Sequence, residues 1–113
     1  MIGKAEFTGQ GLHAYAKRLR EELFPGLDLG WISFCHLPKA EFGRCYPCGV
    51  GDLGGRMILV NHFLRRNEQQ LRETLIHEMI HLRLWDRGAR GFEHGLHFQD
   101  VCRQVGLDPR THC

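Results

Sequence analysis

At 113 residues, with 42% apolar and 25% charged side chains, the chain has the composition of a single domain with a modest core. A formal charge of +2, with histidines neutral, is too small to make it a nucleic-acid binder by charge alone. No run of about eighteen apolar residues is present to span a membrane. The stretch Met1 to Glu6 lacks the apolar segment of a signal peptide, and the cysteine count, five, is odd. Together these favour reduced thiols in an intracellular, cytoplasmic setting.

Thr8 to Phe24 reads as the first helix, with Leu12, Tyr15, Ala16, Leu19 and Leu23 on one stripe and Pro25-Gly26 as its stop. Leu29 to Leu37, rich in aromatic and β-branched residues, is expected to be a strand broken by Pro38. Ala40 to Tyr46 is a second short strand, in which Gly43 suggests a bulge. Pro47 to Gly55 holds four glycines and reads as a turn. The continuous apolar run Met57-Ile58-Leu59-Val60 lies in a third strand, Arg56 to Asn61. The spacing points to an α+β domain whose strands form a three-stranded antiparallel meander packed on helices.

Asn67 to Asp86 is the next helix. Asn67 is its N-cap, Gly88 its C-cap, and Leu71, Leu75, Met79 and Leu82 form its apolar stripe. Inside it stands His77-Glu78-Met79-Ile80-His81, the pattern H-E-x-x-H. On a helix the two histidines lie one turn apart on one face, where their imidazoles can share a zinc ion. Glu78 sits beside them, where a carboxylate can serve as general base on a bound water. A carboxylate amid apolar neighbours is costly without a partner or a task.

A catalytic zinc needs a third protein ligand and an open position. The metzincin continuation is excluded, because its glycine and histidine positions hold Leu84 and Arg87. The next candidates lie in Phe92 to Phe98. The last helix, His94 to Val105, carries Phe98, Val101, Cys102 and Val105 on one face. Extended backwards, that face brings His94 one turn before Phe98, towards the core. His97 falls about a hundred degrees away and Glu93 further round. His94 is the better-placed ligand and His97 the alternative.

His77-Glu78-Met79-Ile80-His81 followed by His94-Gly95-Leu96-His97-Phe98 resembles the SprT-like metalloproteases, which show H-E-M-x-H and then H-G-x-x-F. Gly43-Arg44-Cys45 and Met57 to Asn61 resemble that family's upstream sheet segments, with Phe42 standing where a small residue is usual. The resemblance implies a small zincin-like fold with a single metalloprotease domain over residues 1–113. It implies His77, His81 and His94 as zinc ligands, the last on the C-terminal helix, and Glu78 as the catalytic base. A protein or peptide substrate is implied too, and DNA is a further partner to test, since the family includes DNA-dependent proteases.

Other residues carry weaker signals. Tyr46, His97, His36 and an arginine are the candidates to stabilise an oxyanion. His36 and His62 stand at strand ends, within possible reach of the metal. Arg65, Arg66, Arg72, Arg83, Arg87 and Arg90 gather around the metal helix, with Glu68, Glu73 and Asp86 among them, and read as a solvated face. Cys45-x-x-Cys48 has no second pair and sits in a turn, so it reads as structural or incidental. The competing function is a zinc-stabilised binding module of little catalytic power, which a fourth protein ligand would favour.

Overall fold

The computed structural model describes residues 7–49, 55–89 and 94–108. Three helices and three strands follow in the order α1 (Gly9–Leu23), β1 (Trp31–Cys35), β2 (Gly43–Tyr46), β3 (Met57–Asn61), α2 (Glu68–Asp86) and α3 (Leu96–Gln104). A short 3-10 helix, His62–Arg66, leads from β3 into α2 and has no counterpart in the sequence pattern.

The helix ends follow local chemistry. The Thr8 hydroxyl accepts from the Gly11 N–H at 2.9 Å, and Asn67 Oδ1 accepts from the Gln70 N–H at 3.1 Å. Each side chain satisfies a donor that the first turn leaves without a partner. At the far end of α2, Gly88 takes φ +99°. Its N–H bonds to Trp85 O and that of Ala89 to Leu84 O, both at 2.9 Å, the paired closure that a left-handed residue permits.

The sheet corrects the antiparallel expectation. Its strand order is β1-β3-β2, with β1 parallel to β3 and β2 antiparallel to it. Two features explain the arrangement. The apolar run of β3 suits a central strand, bonded on both edges. The buried Asn61 amide, at the end of β3, donates to Leu37 O, Pro38 O and Glu41 O at 2.9–3.3 Å. That clamp carries the β1–β2 connection across the end of β3, so β2 returns on the far side. Both β1 and β2 are therefore edges. Gly43 makes no bulge, since Gly43 to Tyr46 pair without interruption with Val60 to Met57.

One hydrophobic cluster joins all layers. Helix α2 runs through it, and Leu71, Leu75, Ile76, Met79, Ile80 and Leu82 are each fully buried. Arg56, at the start of β3, donates twice to Asp86 at 2.9 and 2.5 Å and fixes the end of α2 to the sheet. No helix among the described residues is long and apolar enough to cross a membrane.

Candidate metal centre

Helix α2 buries nine of its nineteen residues because sheet and helices pack around it, and the polar exceptions Thr74, Glu78 and His81 are carried into the interior with the rest. His77 and His81, four residues apart, face the same side. His94 arrives from the chain just before α3. It is not on the last helix, contrary to the sequence expectation: α3 starts at Leu96, with Gly95 as a cap that offers no side chain.

The three rings converge. His81 Nε2 lies 3.1 Å from His77 Nε2 and 3.1 Å from His94 Nε2. All their candidate ligand atoms fall within 4.8 Å of one another, so the three histidines could hold a metal ion. Phe98, fully buried on α3, backs the group: its ring centroid is 5.0, 4.9 and 4.6 Å from those of His77, His81 and His94. One buried aromatic ring thus contacts all three imidazoles. Burial, with His94 close by, pulls His81 down to about 4. It is neutral at physiological pH, the form in which an imidazole can ligate.

A cleft of about 280 Å³ opens onto this group. The four residues of β2 line one side, and His77, Glu78, His81 and His94 the other. Burial pushes the Glu78 carboxyl up to about 7, with hydrogen bonding from the Cys45 thiol pulling back and Glu41 adding to the rise. The same burial, with the Glu78 charge next in effect, pushes the Cys45 thiol far up, which favours the protonated thiol over the thiolate. A Cβ on Gly43 would stand 2.8 Å from Thr74 Cγ2 and 3.2 Å from Glu78 Oε2. Glycine there is what lets α2 approach β2 closely enough to bring Glu78 under the strand.

The remaining expectations divide. Tyr46 lines the cleft, as does Arg44, which pairs with Glu41 through two nitrogens and points Nη1 at the Tyr46 hydroxyl, 3.5 Å away. His97 is exposed and stands outside both the cleft and the triad. His36 and His62 meet each other instead, with ring centroids 3.9 Å apart at the end of the sheet. Among the arginines, Arg65 donates to His62 O and Arg83 to Pro25 O. Arg90, Glu93 and the terminal pair His112-Cys113 lie outside the described residues. The pattern did not reveal Phe98 as the common backing of the triad, although its place four residues after His94 held the signal. Nor did it reveal Gly43 as a point of close approach, because a lone glycine in a strand signals a bulge as readily.

Fold and centre together define an α+β protein in which three histidines from two segments converge beside a buried glutamate and could hold a metal ion. Residues 12–112 match the family model described as the SprT-like family, and the chain belongs to that family. Comparison with curated proteins and with solved structures gave no match.

Proposed function

We propose that the protein is a zinc metalloendopeptidase of the H-E-x-x-H type, with His77, His81 and His94 as metal ligands and Glu78 as general base. The observation that carries this reading is the convergence of three Nε2 atoms beside a buried carboxylate that is not one of them. A tetrahedral zinc with Zn–N bonds of about 2.0–2.1 Å sets its ligand nitrogens about 3.3 Å apart. Two of the three separations, at 3.1 Å, are within a few tenths of an ångström of that spacing, and all the candidate ligand atoms lie within 4.8 Å of one another. Among the described residues three protein ligands converge, which leaves a fourth position open, the arrangement of catalytic zinc sites and not of structural ones. That favours an enzyme over a zinc-stabilised binding module, which would have no use for Glu78.

When bound, zinc would supply Lewis acidity towards the scissile carbonyl and lower the pKa of a water in the open position. The chain's own residues supply the rest. Glu78 accepts the water's proton on a carboxylate oxygen and delivers it to the leaving amine nitrogen. Phe98 packs against all three imidazoles and helps hold them in place. Tyr46 and Arg44 also line the cleft, and the Tyr46 hydroxyl is a donor available to charge developing on the carbonyl oxygen, Arg44 being paired with Glu41. Among the described residues nothing pairs with the outer edge of β2, which lines the cleft, so an extended protein segment can add to it as a strand and present its backbone to the centre.

The test is proteolysis of an unstructured protein by zinc-loaded wild type and Glu78→Gln. The expected result is a fall in turnover of roughly 10²–10⁴-fold with zinc content unchanged. Proteolysis retained in the variant would overturn the mechanism.

A further inference from the structure

Four large apolar side chains are exposed among the described residues: Trp31, Phe42, Phe63 and Leu96. Trp31 is on β1, at the far edge of the sheet. None of the other three is itself in the cleft lining, but Phe42 and Leu96 lie close in the chain to residues that are. Phe42 directly precedes β2, Phe63 packs edge-on against it with ring centroids 5.3 Å apart, and Leu96 is two residues beyond His94. Even in contact, Phe42 and Phe63 remain 41% and 39% exposed.

Phe42 is held as an extension of the edge strand. The Asn61 N–H donates to its carbonyl at 2.7 Å, continuing the β2–β3 ladder by one residue. Side chains alternate along such a strand. Gly43 and Cys45 face α2, where the first lies against Thr74 and Glu78 and the second meets Glu78. Phe42, Arg44 and Tyr46 therefore share the opposite face, as the Arg44–Tyr46 contact requires. The Arg44 charge is already matched by Glu41, so this row offers two aromatic side chains around a neutralised pair. A peptide strand added to the free edge of β2 sets its own side chains beside 42, 44 and 46. Glu78 lies beneath the stretch from Gly43 to Cys45, centred on Arg44. Phe42 is two residues along from that centre, roughly 7 Å.

We propose that Phe42 and Phe63 form a subsite for a large apolar side chain of the substrate, two residues from the cleaved bond. The preferred substrates are then extended segments rich in apolar residues, the kind that unfolded proteins expose. This rests on the peptidase reading above.

The experiment uses fluorescein-labelled, Gly/Ser-rich decapeptides with one central Phe, or Ser in its place. Their binding to zinc-loaded Glu78→Gln is read by anisotropy, with and without the further changes Phe42→Ser and Phe63→Ser. Zinc content and thermal unfolding confirm that each variant is folded and loaded. The Phe peptide is expected to bind roughly five- to tenfold more tightly than the Ser peptide, and the double substitution to abolish the difference. Equal binding of the two peptides, no binding, or a difference that survives Phe42→Ser with Phe63→Ser would overturn the subsite. Cleavage by wild type, mapped by mass spectrometry, should fall two residues from the Phe; a constant cut elsewhere would overturn its placement. A Phe42-dependent difference without any cleavage would support the subsite and overturn only the peptidase reading.

Discussion

Along the free edge of β1, against α1, runs a groove of about 840 Å³ that holds His13, Lys17 and the exposed Trp31. Along the free edge of β2, against α2, lies a cleft of about 280 Å³ that holds three convergent histidines and Glu78. The larger cavity is the poorer in chemistry. Its ionisable groups, His13, Lys17 and Arg20 on α1 and Asp28 in the following loop, are not drawn into one cluster, and His13 meets Trp31 edge-on, with ring centroids 5.8 Å apart. The smaller one draws ionisable groups from two segments into one buried place, where their pKa values are displaced in opposite directions. Convergence and burial, more than volume, mark the place where chemistry can occur.

That contrast can be broken most forcefully through pH. In metal-free protein Glu78 is raised from an ordinary value of 4.5 to about 7, so its contribution to stability is full below pH 4.5 and is lost as pH rises through 7. His81 is lowered from 6.5 to about 4, so its contribution is full above pH 6.5 and is lost as pH falls through 4. The two slopes oppose, and wild-type stability should change little across this window on their account. Glu78→Gln removes one of them. Its stability relative to wild type should grow by on the order of 3 kcal/mol from pH 4.5 to pH 7, read by urea unfolding of the metal-free proteins. A constant difference would mean that Glu78 is not the buried carboxyl described.

A second prediction concerns the spacing of β2 and α2. Gly43→Ala should cost about 1–3 kcal/mol through its contact with Thr74, and should displace Glu78 enough to lower turnover. Thr74→Ser, which removes the offending methyl, should recover part of that loss in the double variant. If the double variant unfolds no later than Gly43→Ala alone, the close approach is not the reason for the glycine.

Asn61→Ala tests the clamp that sends β2 to the far side of β3. Leu37 O and Glu41 O would lose the Asn61 donor and Pro38 O would keep only the Glu41 N–H, at a cost of about 1–3 kcal/mol in thermal or chemical unfolding. The smallest effect is expected on the other edge. Trp31→Ser should change stability by under about 0.5 kcal/mol and leave metal content and proteolysis unaltered. A clear loss of either would place function on the β1 groove after all.

The sequence pattern located the helices well, because their signals are local. Thr8 and Asn67 bond to their own first turns, Gly88 closes its own last turn, and the apolar stripes follow the helical period. The triad was legible for the same reason: His77 and His81 are set by helix spacing, and Phe98 fixes the approach of His94. The sheet order was not legible. It depends on a buried amide reaching carbonyls 20 to 24 residues away, and no periodicity records such a contact. The start of α3 was placed two residues early because Gly95 caps it without a side chain.

The most direct measurement is zinc content per chain in purified wild type and His94→Ala, under conditions that do not strip metal. About one zinc per chain in wild type, largely lost in the variant, is the expected result. Wild type without zinc, or a variant that keeps its full complement, would contradict a centre built on His77, His81 and His94.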